Sequence, residues 1–145
     1  MRVLNLPLSQ ITDAGLAHLK ELKSLQELGL VGTQVTDAGL VHVKELKALR
    51  LLGLAQTQIT DAGLPCLNEL KELQKLSVAN TAITDAGLVT IGELTELQVL
   101  WMGGIHMITD AGLVHLQKLR GLQRLEVGGT GITGNGLAHL WELKG

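Results

Sequence analysis

The 145-residue sequence contains no tyrosine or phenylalanine and only two tryptophans. Its core must therefore be built from aliphatic side chains, which suits many similar small layers better than one irregular interior. A single cysteine, Cys66, excludes an internal disulfide and fits a reducing compartment. The formal net charge of -2 gives no reason to expect nucleic acid or an anionic membrane as a partner.

Long apolar segments are missing as well. No apolar run approaches the ~18 residues that a membrane span requires. The first seven residues, Met-Arg-Val-Leu-Asn-Leu-Pro, lack the apolar region of a signal peptide. With 46% hydrophobic and 18% charged residues, the composition is that of an ordinary folded domain. We therefore expect a cytoplasmic protein.

One hexapeptide, Ile-Thr-Asp-Ala-Gly-Leu, recurs along the whole sequence. It stands at residues 11–16 and returns five more times, with Val35 opening the second copy and the last copy degenerate. A constant period of this length predicts stacked supersecondary units, here one domain of six units. The threonines that mark the repeat lie 24 residues apart, with one step of 25: Thr12, Thr36, Thr60, Thr84, Thr109 and Thr133. The units are 1–24, 25–48, 49–72, 73–96, 97–121 and 122–145.

The second unit shows what each unit is expected to form. Leu28 and Leu30 alternate around a glycine, which predicts a very short strand. Thr36 is a good helix N-cap, and Asp37 places a negative charge in the first helical turn. Three apolar residues then follow at helical spacing: Leu40, Val43 and Leu46. A unit is therefore strand, turn, helix and loop, and it buries its leucines only against neighbouring units.

The pattern Leu-x-x-Leu-x-Leu-x-x-Thr-x-Ile/Val-Thr-Asp-x-Gly-Leu resembles that of leucine-rich repeat proteins. Its hexapeptide is similar to the subtype found in F-box-associated and bacterial leucine-rich repeats, although nothing in the sequence resembles an F-box. The resemblance implies an α/β, right-handed solenoid in a horseshoe arc, with six short parallel strands on the concave face and six helices on the convex face. Parallel strands joined by helical crossovers take that hand. The turn hydroxyls are expected to bond the backbone of the adjacent coil: Ser9, Thr33, Thr57, Thr81 and Thr130.

Neither terminal unit has the polar outer face of a dedicated cap. Trp141 stands where other units carry small or polar residues. Two explanations are open: the chain is a piece of a longer array, or an end packs on another copy.

No catalytic, metal or cofactor site is predicted. Four histidines share one helix position, but neighbouring helices lie ~10 Å apart, too far for two rings to share a zinc ion without distortion. A Gly-x-Gly-x-x-Gly match at residues 129–134 lacks the acidic residue of a dinucleotide site. The repeated aspartates are expected to begin helices, so we predict no enzyme. The histidines are His18, His42, His115 and His139, and the aspartates are Asp13, Asp37, Asp61, Asp85 and Asp110.

Two rows of side chains are expected to project from the concave sheet. The outlier is Trp101, a large aromatic residue followed at once by the one irregular step, residues 103–107. A tryptophan beside an arginine has the composition of an interface hot spot; the alternative is that Trp101 only covers Ser77 and thin backbone. The rows are Val3, Glu27, Leu51, Lys75, Val99 and Arg124, then Asn5, Gly29, Gly53, Ser77, Trp101 and Glu126. The predicted partner-binding residues are Trp101, Lys75, Val99, Arg124, Glu126, Ser77 and His106.

These features favour a non-catalytic module that binds another protein through the concave face. One alternative is a structural spacer or self-assembling block that associates through uncapped ends. Another is the recognition arm of a larger repeat protein.

Overall fold

A computed structural model of the chain describes residues 1–141. The last four residues of the sixth predicted unit lie outside this range. Six three-residue strands form one parallel sheet whose order follows the chain. They are β1 (Val3–Asn5), β2 (Glu27–Gly29), β3 (Leu51–Gly53), β4 (Lys75–Ser77), β5 (Val99–Trp101) and β6 (Arg124–Glu126). The sheet is open, as the predicted solenoid requires.

Each coil returns from the strand through a helical segment. The α-helices are α1 (Asp13–Leu16), α2 (Asp37–Val43), α3 (Asp85–Ile91) and α4 (Asp110–Leu113). The 3-10 helices are Ala17–Glu21, Leu64–Glu69, Val114–Lys118 and Gly136–Leu140. The predicted helices are therefore present, but the third and sixth coils use only the 3-10 form. In the third coil Pro65 lies at the start of the segment, where it lacks a backbone N–H.

The core is a stack of equivalent aliphatic positions. The middle strand residues of the inner coils are completely buried: Leu28, Leu52, Leu76 and Leu100. Their counterparts Leu4 and Leu125, in the outermost strands, are only partly buried. Burying a leucine contributes about 1.5–3 kcal/mol, so the inner coils gain more from the same residue than the outer coils do.

The turn hydroxyls bond differently from the prediction. Each donates to the carbonyl three residues earlier in its own coil, as Thr33 does to Leu30 at 2.7 Å. The prediction of bonds to the adjacent coil was wrong, because backbone groups already make those contacts: Gly32 N–H donates to Ala55 O at 2.9 Å. The hydroxyl instead closes its own turn. The other four bonds are Ser9 to Leu6, Thr57 to Leu54, Thr81 to Val78 and Thr130 to Val127.

Among residues 1–141, no helix has the length and apolar character that crossing a bilayer would need.

Candidate functional site

The strand register aligns the two predicted concave rows residue for residue. The first and third residues of each strand point away from the buried middle leucine, so they share one face of the sheet. Pairing runs Val3, Glu27, Leu51, Lys75, Val99, Arg124 in one row and Asn5, Gly29, Gly53, Ser77, Trp101, Glu126 in the other. Six of the seven predicted partner-binding residues therefore lie together, on β4, β5 and β6.

Trp101 lies between Ser77 and Glu126 in its row and is half-buried. Part of the indole is covered by the protein and part stays open to solvent. Further along the row, a Cβ added at Gly53 would find no atom nearer than Val31 Cγ2 at 3.5 Å. Packing within the coil therefore does not demand a glycine there. The small residues of this row leave the backbone of the sheet accessible, and Trp101 is the one large aromatic side chain in the row.

Charged groups flank the tryptophan. Arg124 donates to Glu126 Oε1 from Nε at 2.9 Å and from Nη2 at 2.6 Å. Both side chains are exposed, so this pair adds little to stability. It does tie the guanidinium to Glu126, the residue that pairs with Trp101 across the sheet. Lys75 is also exposed, and within residues 1–141 it forms no ion pair.

A depression lies across the second, third and fourth coils, beside the same sheet. It has a volume of about 200 Å³. Its lining residues are Gln26, Glu27, Arg50, Leu51, Gln74 and Lys75. The concave rows included three of these, but sequence reasoning missed Gln26, Arg50 and Gln74, which each precede a strand by one residue. The polar character shared by Arg2, Gln26, Arg50, Gln74, Gln98 and Gln123 was the signal that could have found them.

His106 lies outside the sheet, in the loop that follows β5, so the structure does not place it in either row. At the equivalent position of other coils, a backbone hydrogen bond joins one coil to the one before it. For example, Gln58 N–H donates to Val35 O at 3.0 Å. In the described part of the chain, no backbone N–H of the loop donates in this way to Ile83 O. The additional residue thus interrupts the ladder and leaves His106 and Met107 exposed at the rim.

The repeated aspartates begin helices in four coils, as predicted, and they also link coils. Asp13 Oδ1 accepts the backbone N–H of Thr36 at 2.8 Å, and Asp13 Oδ2 accepts the Thr36 hydroxyl at 2.7 Å. Thr36 Oγ1 in turn accepts Ala38 N–H, so the bridged hydroxyl also caps α2. We call these bridges the Asp–Thr ladder. Its other rungs are Asp37 to Thr60, Asp61 to Thr84, Asp85 to Thr109 and Asp110 to Thr133.

The repeated glycine makes room for this carboxylate. A Cβ added at Gly63 would clash with Asp37 Oδ1 and approach Asp37 Cα to 3.1 Å. The equivalent glycines of the second, fourth, fifth and sixth coils meet the preceding aspartate in the same way. At the last rung the hydroxyl and the N–H of Thr133 hold the pKa of Asp110 below its usual range. The carboxylates are therefore held by neutral donors between coils, which is a structural role.

The remaining candidates are not assembled into a reactive site. Within residues 1–141 no three histidine, cysteine or acidic side chains converge as metal ligands would. Cys66 is half-buried against the core. In the glycine-rich last repeat, Gly131 packs against backbone, since an added Cβ would lie 3.0 Å from Ile108 O. Packing explains this glycine without a nucleotide.

Comparisons with known proteins point to one fold and one repeat. The leucine-rich repeat family matches residues 71–92. An internalin, InlF, from Listeria monocytogenes superposes with a TM-score of 0.77 at 22% identity, over 98% of this chain and 46% of that one. A leucine-rich repeat protein of Leptospira interrogans gives 0.74 at 28% identity, over 99% and 35%. A plant peptide hormone receptor, RGFR1, solved in complex with RGF2, gives 0.64 at 16% identity, over 99% and 23%.

The chain spans less than half the length of each of these three solved proteins. No protein with a curated description matches it. Leucine-rich repeat solenoids are commonly protein–protein interaction modules and generally binding scaffolds without catalytic activity. The Ile-Thr-Asp-x-Gly-Leu subtype stays a prediction. Since the repeat, the open parallel sheet and the matched structures agree, the chain has the fold of a leucine-rich repeat solenoid.

Proposed function

We propose that this chain binds another protein through the concave face of its sheet, with Trp101 at the centre of the contact. The observation that carries the proposal is a partly exposed indole in a row that otherwise holds Asn5, Gly29, Gly53, Ser77 and Glu126. A soluble scaffold gains nothing in folding from the open part of this ring. Tryptophan and arginine are enriched among the residues that dominate binding energy.

The small residues beside Trp101 allow a partner to approach the backbone of the sheet. Ser77 and Gly53 extend only a short distance from the sheet, so an apolar side chain of the partner can pack against the ring edge and Val99 together. Such a contact buries the open part of the indole, and truncating a residue of this kind costs about 2 kcal/mol or more of binding energy.

The flanking charges define what the partner should carry. Lys75 and Arg124 lie two strands apart in one row, a separation of about 10 Å at ~4.8 Å per strand. Glu126 restrains Arg124, whereas Lys75 is exposed. A partner with an acidic group opposite Lys75 complements this face. The charges would mainly set the association rate and the choice of partner.

The loop that follows β5 extends the same surface. His106 and Met107 are exposed where the additional residue interrupts the backbone hydrogen bonds between coils, five and six residues after Trp101. The plant receptor in complex with RGF2 supports, by fold analogy alone, the use of such a solenoid for binding a protein or peptide.

The test compares Trp101→Ala with Val89→Ala, which truncates an exposed apolar residue of α3. Proteins captured from the source organism's lysate by wild type are identified, purified and titrated against all three chains. We expect Trp101→Ala to weaken binding about 30-fold or more, and Val89→Ala to leave it unchanged. Thermal melts establish that both variants are folded.

Fluorescence gives a second readout. Trp141→Phe leaves Trp101 as the single tryptophan, so binding at the proposed surface should shift its emission to shorter wavelength and protect it from acrylamide. A partner that binds Trp101→Ala as tightly as wild type, with no change in this emission, would contradict the proposal. The chain would then be better described as a spacer or as one part of a longer recognition arm.

A further inference from the structure

The depression beside β2, β3 and β4 is larger than a water site and smaller than a pocket for a drug-sized ligand. Its volume is about 200 Å³, whereas one water molecule occupies about 30 Å³ and small-molecule pockets hold about 300–1,000 Å³. It crosses three coils, and its lining includes the residues that open the three strands, Glu27, Leu51 and Lys75. A site of this size and direction fits one or two side chains of a polypeptide that lies across the strands.

The two ends of the depression carry opposite charges. Glu27 and Lys75 lie two strands apart in one row, about 10 Å at ~4.8 Å per strand. Within residues 1–141 neither side chain forms an ion pair. Arg50 lies between them, but its Nε and Nη2 donate to Glu72 Oε2 at 3.3 and 3.2 Å, so its charge is offset inside the protein. A complementary segment therefore carries a basic group opposite Glu27 and an acidic group opposite Lys75.

The lining between these ends suits a polypeptide backbone. Gln26 and Gln74 are half-buried, and in the part of the chain that the structure describes their side-chain amides have no hydrogen-bond partner. Each amide offers a donor and an acceptor, which is the complement of a peptide group. Leu51 adds partly open apolar surface between the two glutamines.

The spacing of the charges selects an extended segment. A polyproline II helix has three residues per turn and a rise of ~3.1 Å, so residues three apart lie on the same side at about 9.3 Å, and its backbone makes no internal hydrogen bonds. An α-helix places residues seven apart on one face at ~10.5 Å, but its diameter of about 10–12 Å keeps it above the depression and its backbone groups are already bonded. The extended form satisfies both the charges and the glutamines.

We propose that the depression binds an extended segment of a partner protein in which a basic and an acidic residue lie three positions apart, with apolar residues between them. Glu27 and Lys75 select the two charges, Gln26 and Gln74 bond the backbone, and Leu51 packs against the apolar residues. This inference rests on the proposed function, because it names the chemistry of a partner that crosses the same face and shares Lys75 with the contact at Trp101.

Two capped hexapeptides are the probes: Pro-Lys-Pro-Pro-Glu-Pro, the mixed peptide, and Pro-Glu-Pro-Pro-Glu-Pro, the acidic peptide. Their prolines favour the polyproline II form. Chemical-shift titration of the backbone amides locates and measures binding to the full chain. We expect the resonances of Gln26, Arg50 and Gln74 to move, and wild type to bind the mixed peptide about fivefold more tightly than the acidic one.

A charge variant tests the pairing. Glu27→Lys makes both ends positive, so it should reverse the preference in favour of the acidic peptide. The matched control is Glu45→Lys, the same change at an exposed position beyond the end of α2, and it should keep the wild-type preference. The proposal is overturned if neither peptide moves the resonances of the depression, if Glu27→Lys still prefers the mixed peptide, or if Glu45→Lys reverses the preference as well.

An amide variant tests recognition of the backbone. Gln74→Met keeps the length of the side chain and removes its hydrogen bonds, so it should weaken both peptides about threefold. Gln98→Met changes the equivalent residue of the next coil, outside the depression, and should leave both unchanged. Equal weakening by the two variants would contradict the proposed site. Thermal melts confirm that each variant is folded.

Trp101→Ala separates this proposal from the contact at Trp101. It should bind the mixed peptide as wild type does, because the hexapeptide ends at Lys75. If Trp101→Ala loses the purified partner while the peptides do not bind wild type, the inference about the depression is wrong and the contact at Trp101 stands. If the peptides bind as expected and the partner binds Trp101→Ala as tightly as wild type, the depression is supported and the placement of the contact at Trp101 is wrong.

Discussion

The first coil and the inner coils carry the same hexapeptide in different surroundings. In the second coil Thr36 holds Asp13 and caps α2, which runs for seven residues. In the first coil the Thr12 side chain makes no capping bond, and α1 has only four residues before it tightens into a 3-10 helix. Helix length does not depend on this bridge, since α4 also has four residues before a 3-10 helix although Thr109 bonds Asp85 and caps it. The capping bond does accompany the bridge, as expected for a solenoid in which each repeat is stabilised by its neighbours.

The largest difference between the two regions should appear at the repeated glycine. We expect Gly63→Ala to lower the free energy of unfolding by about 3 kcal/mol, because its Cβ would clash with Asp37 and displace the carboxylate of that rung. Gly15→Ala should instead raise it by up to about 1 kcal/mol, since alanine restricts the unfolded chain and nothing crowds its Cβ. Urea unfolding of both variants measures the contrast. Equal losses would show that the glycine serves the helix and not the rung.

A smaller difference is expected between inner and outer rungs. Asp61→Ala removes the acceptor for two partly buried donors of Thr84 and should cost about 2 kcal/mol. Asp110→Ala removes an equivalent rung whose donors are exposed, so water replaces the carboxylate and the loss should be clearly smaller. Asp61→Asn, which keeps one acceptor, should lie between Asp61→Ala and wild type in the same urea series. Identical losses at Asp61 and Asp110 would mean that burial does not control the strength of a rung.

Periodicity predicted the parts of the structure that depend on spacing alone. The strands, their parallel order and the two concave rows all follow from a repeat in which equivalent residues align. The hydrogen-bond partners of individual side chains could not be predicted from the period. The sequence shows that Asp37 begins a helix, but the Thr60 it bonds is 23 residues away, and only the coil geometry brings them together. The turn hydroxyls were assigned to the wrong coil for the same reason.

The candidate site was predicted unevenly on the same grounds. Trp101 was found because it departs from a regular row, and the register then fixed its neighbours. Gln26, Arg50 and Gln74 were missed because they lie outside the strands and because every unit carries a polar residue at this position, so none of them stands out. The broken backbone bond at Ile83 was also invisible, since a one-residue insertion shows its position in the sequence but not which pairing it removes.

The pH dependence of stability separates a rung from an ordinary surface ion pair. Hydrogen bonds from the Thr133 hydroxyl and then its N–H lower the pKa of Asp110, whereas a hydrogen bond from Lys47 and its charge lower that of Glu69. Each folded pKa lies below the unfolded value of about 4, so the stabilisation is present above that pH and lost as the pH falls through the folded pKa. Asp110→Asn and Glu69→Gln should therefore each flatten the acid side of the stability profile.

Salt should then distinguish the two carboxylates. The largest causes of the lowered Asp110 pKa are hydrogen bonds from the neutral donors of Thr133, and the charge of His139 is a smaller one. Most of the Asp110 contribution should therefore persist when ionic strength rises, whereas that of Glu69 should fall as Lys47 is screened. Urea unfolding between about pH 4 and pH 2, at low and high salt, measures both. If salt removed the difference between wild type and Asp110→Asn, charge would be holding the outermost rung. The difference in stability between the outermost and inner rungs would then come from surface electrostatics and not from the hydrogen bonds between coils.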